Sequence, residues 1–298
     1  MKEQRVYDVS ALTSRKAPPA KPKIVFVASA SHSGSTLLDL MLNAHPDIVS
    51  AGELKQLGRY ARSARKLGRK PRCTCGALSI ADCPFWAKVD TIAKAHLGRG
   101  LGELNTENYA DLSGFKRDNA ILFGAISVAA NKRYVVDSSK HIERLELLLT
   151  NHELDVYPIF LLRDPKGQIC SALRKEAKPE ENAYGFFRLI GSYVATNRRI
   201  HKLIQHAPHA VVHYEALAAD PQGTLAKLMP QLDLAFHPSQ LNWATVERHN
   251  IGGNRMRFTS TSKLKLDERW RRELTPVQKL IIEASTLPGR YPFVKYIS

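Results

Sequence analysis

The sequence predicts an α/β fold: a mostly parallel central sheet of four or five strands, flanked by helices in a P-loop-like three-layer arrangement. Three features carry that expectation. Short apolar runs that read as buried strands recur at Ile24–Ala30, Tyr134–Asp137 and Tyr157–Leu162. Helical patterns follow them, the alternation that builds a parallel sheet covered on both faces. The first run also passes through a turn of small residues, Ser31–Thr36, directly into an apolar helix beginning at Leu37.

Size and charge bound the rest. The 298 residues are 44% hydrophobic, enough for one large domain over 23–298. Residues 1–22 are polar, basic and Pro-containing, and read as a disordered tail. No apolar run approaches the roughly 20 residues of a membrane span. The N-terminus lacks the apolar core of a signal peptide, so a cytoplasmic protein is expected. A net charge of +16 implies an anionic partner. No zinc-finger, RRM or helix-turn-helix signature accompanies it, so nucleic acid is not expected.

The strand, turn and helix over Ile24–Leu42 make an anion site. Free N–H groups and the helix dipole favour negative charge there. Gly34 permits close backbone approach, and Ser33, Ser35 and Thr36 add hydroxyls. A nucleotide-triphosphate loop needs G-x-x-x-x-G-K-[ST]; here Gly34, not Lys, precedes Ser35. His45-Pro46 ends the helix. An extended piece, Ile48–Ser50, then delivers Gly52-Glu53.

Residues 55–72 are rich in Lys and Arg without an acid, which reads as a solvated basic loop or as a funnel toward an anionic or membrane surface. Cys73, Cys75 and Cys83 form a local cluster. Zinc, a disulfide and free thiols all remain open, because C-x-C departs from common zinc spacing and no fourth ligand is evident. Residues 87–130 read as helical with a loop near Gly98–Gly114, so 55–130 is expected to form a cap or insertion.

Tyr134–Asp137 runs into Ser138-Ser139-Lys140-His141, at a strand end where such folds bind ligands. Tyr157–Leu162 is followed by Arg163-Asp164-Pro165. Asp164 suits an N-cap and Pro165 a first helical position, which places Arg163 before the helix and Ser171 on it. Residues 181–206 read as a long amphipathic helix with Phe187, Ile190, Val194 and Ile200 near one face. A strand over His209–His213 enters Tyr214-Glu215. A glycine-rich basic loop spans His249–Arg257, and a last helix runs to about Ser285.

Taken together, HSGSTLL with its following HPDI and AGE, strand-RDP with Ser171, YEAL…DP and the GN-x-x-R loop resemble sulfotransferases that use PAPS (3′-phosphoadenosine 5′-phosphosulfate). Tyrosylprotein, carbohydrate and bacterial members share this pattern, and the resemblance covers roughly residues 24–285. It implies that Ser33, Gly34, Ser35 and Thr36 hold the 5′-phosphosulfate and that Arg163 and Ser171 hold the 3′-phosphate. Tyr214, Asn254 and Arg257 would complete the nucleotide pocket. Glu53 would take the acceptor's hydroxyl proton. Lys140 and His32 would stabilise the spreading charge. His32 stands where most relatives have Arg or Lys, and it carries a full charge only when protonated. The expected acceptor is a hydroxyl of a carbohydrate, glycolipid or other small molecule, and the transfer requires no metal. An ATP- and Mg-dependent phosphotransferase and a nucleotide-binding protein without transfer activity are the alternatives.

Overall fold

The computed structural model describes residues 21–62, 71–176 and 182–286. The N-terminal tail, residues 63–70 of the basic run, residues 177–181 and the last residues from 287 lie outside the described residues.

Five strands form one sheet in the order β2-β3-β1-β4-β5: β1 Lys23–Ala28, β2 Ile48–Ser50, β3 Tyr134–Asp137, β4 Asp155–Leu162 and β5 Ala210–His213. Every neighbouring pair is parallel. The sequence-derived expectation of a mostly parallel α/β sheet is met. Alternation along β1 splits the core. Ile24, Phe26 and Ala28 face one apolar layer, and Val25 and Val27 the other.

The first layer holds α3 (Pro84–Leu97), α4 (Leu112–Ala130), α5 (Ile142–Leu149) and part of α7 (Asn182–Ile204). Trp86, Val89, Phe115, Leu122 and Phe123 share this core with the sheet, so residues 84–130 cover a sheet face. The second layer holds α1 (Ser35–Asn43), α8 (Tyr214–Ala219) and α9 (Pro221–Leu228). A short α2 (Leu57–Arg62) follows Glu53. A smaller cluster joins α6 (Pro165–Glu176), α7, α10 (Trp270–Glu273) and α11 (Pro276–Ser285).

Local chemistry sets the helix limits. Asp164 Oδ1 accepts from Lys166 N at 2.7 Å ahead of Pro165. Thr275 and Gln278 form a reciprocal capping box at α11. On α7 the buried stripe runs through Phe186, Ile190, Tyr193, Asn197, Ile200 and Ile204. Phe187 is 58% exposed, contrary to its expected place on that face, because the stripe passes through its neighbour Phe186. No helix among the described residues is long and apolar enough to cross a membrane.

One buried polar network ties α1 to β2 and to the loop before residue 255. Asp39 accepts from Ser50 Oγ at 2.5 Å and from Asn250 Nδ2 at 2.5 Å. Burial pushes the Asp39 carboxyl up from 3.8 to about 7. The folded state therefore holds an extra proton between about pH 4 and pH 7, and stability falls as pH rises through that window. Asp39→Asn is expected to remove this share, on the order of 2 kcal/mol, of the difference between the unfolding free energies from urea titrations at pH 5 and pH 8. An unchanged difference would remove Asp39 as its source.

Candidate active site

Because every strand runs parallel, all five carboxyl ends meet one edge of the sheet, and each delivers a candidate residue. β1 leads to His32–Thr36, β2 to Glu53, β3 to Lys140, β4 to Arg163 and β5 to Tyr214. These residues are scattered over some 180 positions of sequence and are gathered by topology alone.

The β1–α1 turn has left-handed backbone at His32 (φ 65°) and Gly34 (φ 90°), and α1 opens directly behind it. A Cβ at Gly34 would lie 2.4 Å from the Tyr214 ring, so the turn closes only with glycine there. Ser33 is buried and donates its hydroxyl to Gln168 Oε1 at 3.0 Å, which aims that group at α6. The Thr36 hydroxyl accepts from Asn254 N at 3.4 Å.

Glu53 is held from two sides. Lys140 Nζ donates to its Oε1 at 2.5 Å, and Gln56 Nε2 donates to its Oε2. Lys140 has φ 61°, so it and His32 are both non-glycine residues in the left-handed region, a costly conformation that clusters at functional sites. The glycine loop completes this corner. Glu53 N donates to Ile251 O at 2.8 Å, and Ile251 N donates to Ala51 O at 3.2 Å. A Cβ built on Gly253 would lie 3.5 Å from Thr36 Oγ1 and 3.7 Å from Glu53 Oε1. The turn's hydroxyl and the carboxylate are therefore within about 7 Å of each other.

Arg163 is the other fixed point. Its Nη1 donates to His32 O at 2.8 Å and its Nη2 to Asp267 Oδ2 at 3.0 Å. Its guanidinium lies 4.4 Å from the Tyr214 ring centroid, and its buried Nε has no hydrogen-bond partner among the described residues. Asp267 also accepts both Nε and Nη2 of Arg269, at 2.7 and 2.8 Å, and lies 3.8 Å from Arg174. The Arg269 and Arg163 hydrogen bonds hold its carboxyl far below the usual aspartate value. Ser171 is buried on α6, one turn beyond Gly167, which packs against Arg163. A cavity of about 260 Å³ opens beside the turn, bounded by His32, Lys140, Gln168, Arg188 and Tyr193.

The β1–α1 turn, the Glu53 carboxylate and the Lys140 and Arg163 cations all lie within a segment that matches a known family. Residues 22–238 match the Sulfotransferase family. The chain belongs to that family. Two solved structures share the sulfotransferase fold. The sulfotransferase domain of the Synechococcus PCC 7002 olefin synthase aligns with a TM-score of 0.56 at 19% identity, over 92% of this chain and 98% of that one. The sulfotransferase domain of the curacin biosynthetic pathway aligns at 0.55 and 19% identity, over 88% and 96%. Both likenesses are of fold. No curated protein matches the sequence significantly.

Two sequence-predicted residues of this sulfotransferase are engaged within their own loop. Arg257 Nη1 donates to the carbonyls of Gly252 and Gly253, and its guanidinium packs on Phe258. Asn254 Oδ1 accepts from Met256 N at 3.0 Å as a turn cap. Sequence reasoning misses Asp267, Arg174, Arg269 and Arg248. Arg248 spans the glycine loop by donating to the carbonyls of Trp243, Ala244, Arg257 and Thr259. An isolated arginine outside any motif carries no sign of such a role.

Gly52 is a sharp test of this corner. It has φ 76°, and a Cβ there would lie 2.3 Å from the backbone oxygen of Ile251. Gly52→Ala is expected to cost at least about 2 kcal/mol, combining left-handed strain with displacement of the loop. The thermal midpoint should fall by several degrees. A midpoint equal to wild type would show that the loop does not need this contact.

Proposed function

We propose that this sulfotransferase moves a sulfuryl group from PAPS to a hydroxyl of a carbohydrate, glycolipid or other small acceptor, with Glu53 as general base. The observation that carries this reading is the position of Glu53, paired to Lys140, within about 7 Å of the Thr36 hydroxyl on the anion turn. That bound keeps the carboxylate close enough to the turn to meet an acceptor oxygen brought to a phosphosulfate held there.

The donor set around Arg163 fits a polyanionic nucleotide. Arg163, Arg174 and Arg269 converge on Asp267, and Glu273 adds one further carboxylate at 3.3 Å from Arg174, leaving an excess of positive charge. The orphaned Nε of Arg163 is a further donor in the same place. When bound, PAPS supplies the sulfuryl group and a phosphate leaving group. The backbone N–H groups of the turn and the α1 N-terminus would hold the 5′-phosphosulfate. Arg163 and Ser171 would hold the 3′-phosphate, Arg163 in a guanidinium fork that suits phosphate geometry. Lys140 is positioned to serve two ends, orienting the base and, with His32, offsetting negative charge that develops as the bond to the leaving group breaks. Glu53 receives the acceptor's proton.

Calorimetric titration with PAP, the desulfated product, and separately with ATP and Mg²⁺, tests the reading. Tight PAP binding and weak ATP binding are expected. The reverse pattern would replace the proposal with an ATP-dependent phosphotransferase. PAP binding without sulfate transfer to any hydroxyl compound would leave a nucleotide-binding protein.

A further inference from the structure

Cys73, Cys75, Cys83 and His249 place three sulfurs and one ring nitrogen within 4.8 Å of one another. The four cysteines of the described chain are all unpaired. Cys73 Sγ and Cys83 Sγ are 3.5 Å apart, and Cys75 Sγ and Cys83 Sγ 3.6 Å. His249 Nδ1 lies 3.3 Å from Cys83 Sγ and 3.8 Å from Cys73 Sγ. Zinc bound at about 2.3 Å by sulfur and about 2.0 Å by nitrogen sets tetrahedral edges of roughly 3.5–3.8 Å. These four separations, 3.3–3.8 Å, are close to the edges of that polyhedron, and the remaining two pairs stay within 4.8 Å, so the three sulfurs gather around one centre rather than two being drawn into a pair.

The surroundings orient the ligands. His249 Nε2 lies 3.1 Å from Glu247 Oε1, so the carboxylate takes the proton-bearing nitrogen and leaves Nδ1 for a metal. Phe85 stacks on the imidazole, with centroids 5.0 Å apart and planes 11° apart. Trp86 Nε1 donates to His249 O at 2.9 Å, and Thr74 Oγ1 to Arg248 O at 2.6 Å. The two segments are thus already stitched together where the four ligand atoms meet.

We propose that these four residues bind one Zn²⁺ in a closed, structural Cys₃His site. The three thiols lose their protons to solvent as the ion binds. All four positions are filled by protein, so the metal has no open position for catalysis. Its role follows from where His249 stands. Two residues on, Ile251 to Gly253 are those that lie on Glu53 and Thr36. The ion therefore fastens the glycine loop to residues 73–86 and fixes its placement over the carboxylate. The fourth ligand is 166 residues from Cys83, which is why the C-x-C spacing alone gave no complete set.

The experiment is metal analysis of the full-length protein, expressed with zinc in the medium and purified without chelator. About one zinc per chain is expected. Cys75 is exposed, yet it should resist alkylation until a strong chelator is added, as should Cys73 and Cys83, each followed by peptide mass. Co²⁺ exchanged into the site should give the visible spectrum of a tetrahedral ion with thiolate charge-transfer bands. His249→Cys should keep the metal as Cys₄, and His249→Ala should weaken zinc binding by a hundredfold or more. Metal-free protein with rapidly alkylated Cys75 would overturn the proposal. So would a disulfide among the three cysteines, or zinc affinity unchanged in His249→Ala. If His249→Ala fails to fold, the wild-type stoichiometry, alkylation pattern and Co²⁺ spectrum still decide.

Discussion

Glu53→Gln is expected to lower sulfuryl transfer at least about a hundredfold while leaving PAP affinity within about threefold of wild type. A positioned general base contributes roughly 10²–10⁴ in rate. The amide keeps the shape of the carboxylate but cannot take the acceptor's proton. The geometry also separates rate from affinity. Glu53 touches Lys140, Gln56 and the backbone of the 251–253 loop, and these contacts do not include Arg163 or Tyr214. PAP release from PAPS, followed with the best hydroxyl acceptor of a panel, measures the rate, and calorimetry measures PAP. A Glu53→Gln enzyme turning over at the wild-type rate would dismiss Glu53 as the base.

Arg163→Ala is expected to weaken PAP binding by a hundredfold or more. Hydrogen bonds to charged groups are worth about 1.5–3 kcal/mol each, and a guanidinium offers two to one phosphate. Arg163→Lys should recover little of this loss. A lysine is a point charge and cannot span His32 O, Asp267 and the Tyr214 face at once, as the planar fork does. Thermal melts run beside the titrations separate affinity from folding, because the substitution also removes a buried partner of Asp267. PAP binding within threefold of wild type in Arg163→Ala would move the 3′-phosphate elsewhere, with Arg174 and Arg269 the nearest cations.

The local elements and their order are determined by the sequence itself. Apolar runs of strand length, the small-residue turn Ser31–Thr36 and Pro165 behind Asp164 act through neighbours a few residues away, so they are legible without a fold. The candidate residues at strand ends were legible for the same reason, since a motif carries its own position relative to its strand. What only the tertiary structure decided is partnership across the chain. The Lys140–Glu53 pair joins positions 87 apart, Arg163 and Asp267 are 104 apart, and Cys83 and His249 are 166 apart. The phase of α7 likewise depended on which face met the sheet, and that buried Phe186 rather than Phe187. Such pairings are set by parallel strand order and by loops crossing the sheet edge. Side-chain type and spacing along the chain carry no record of either.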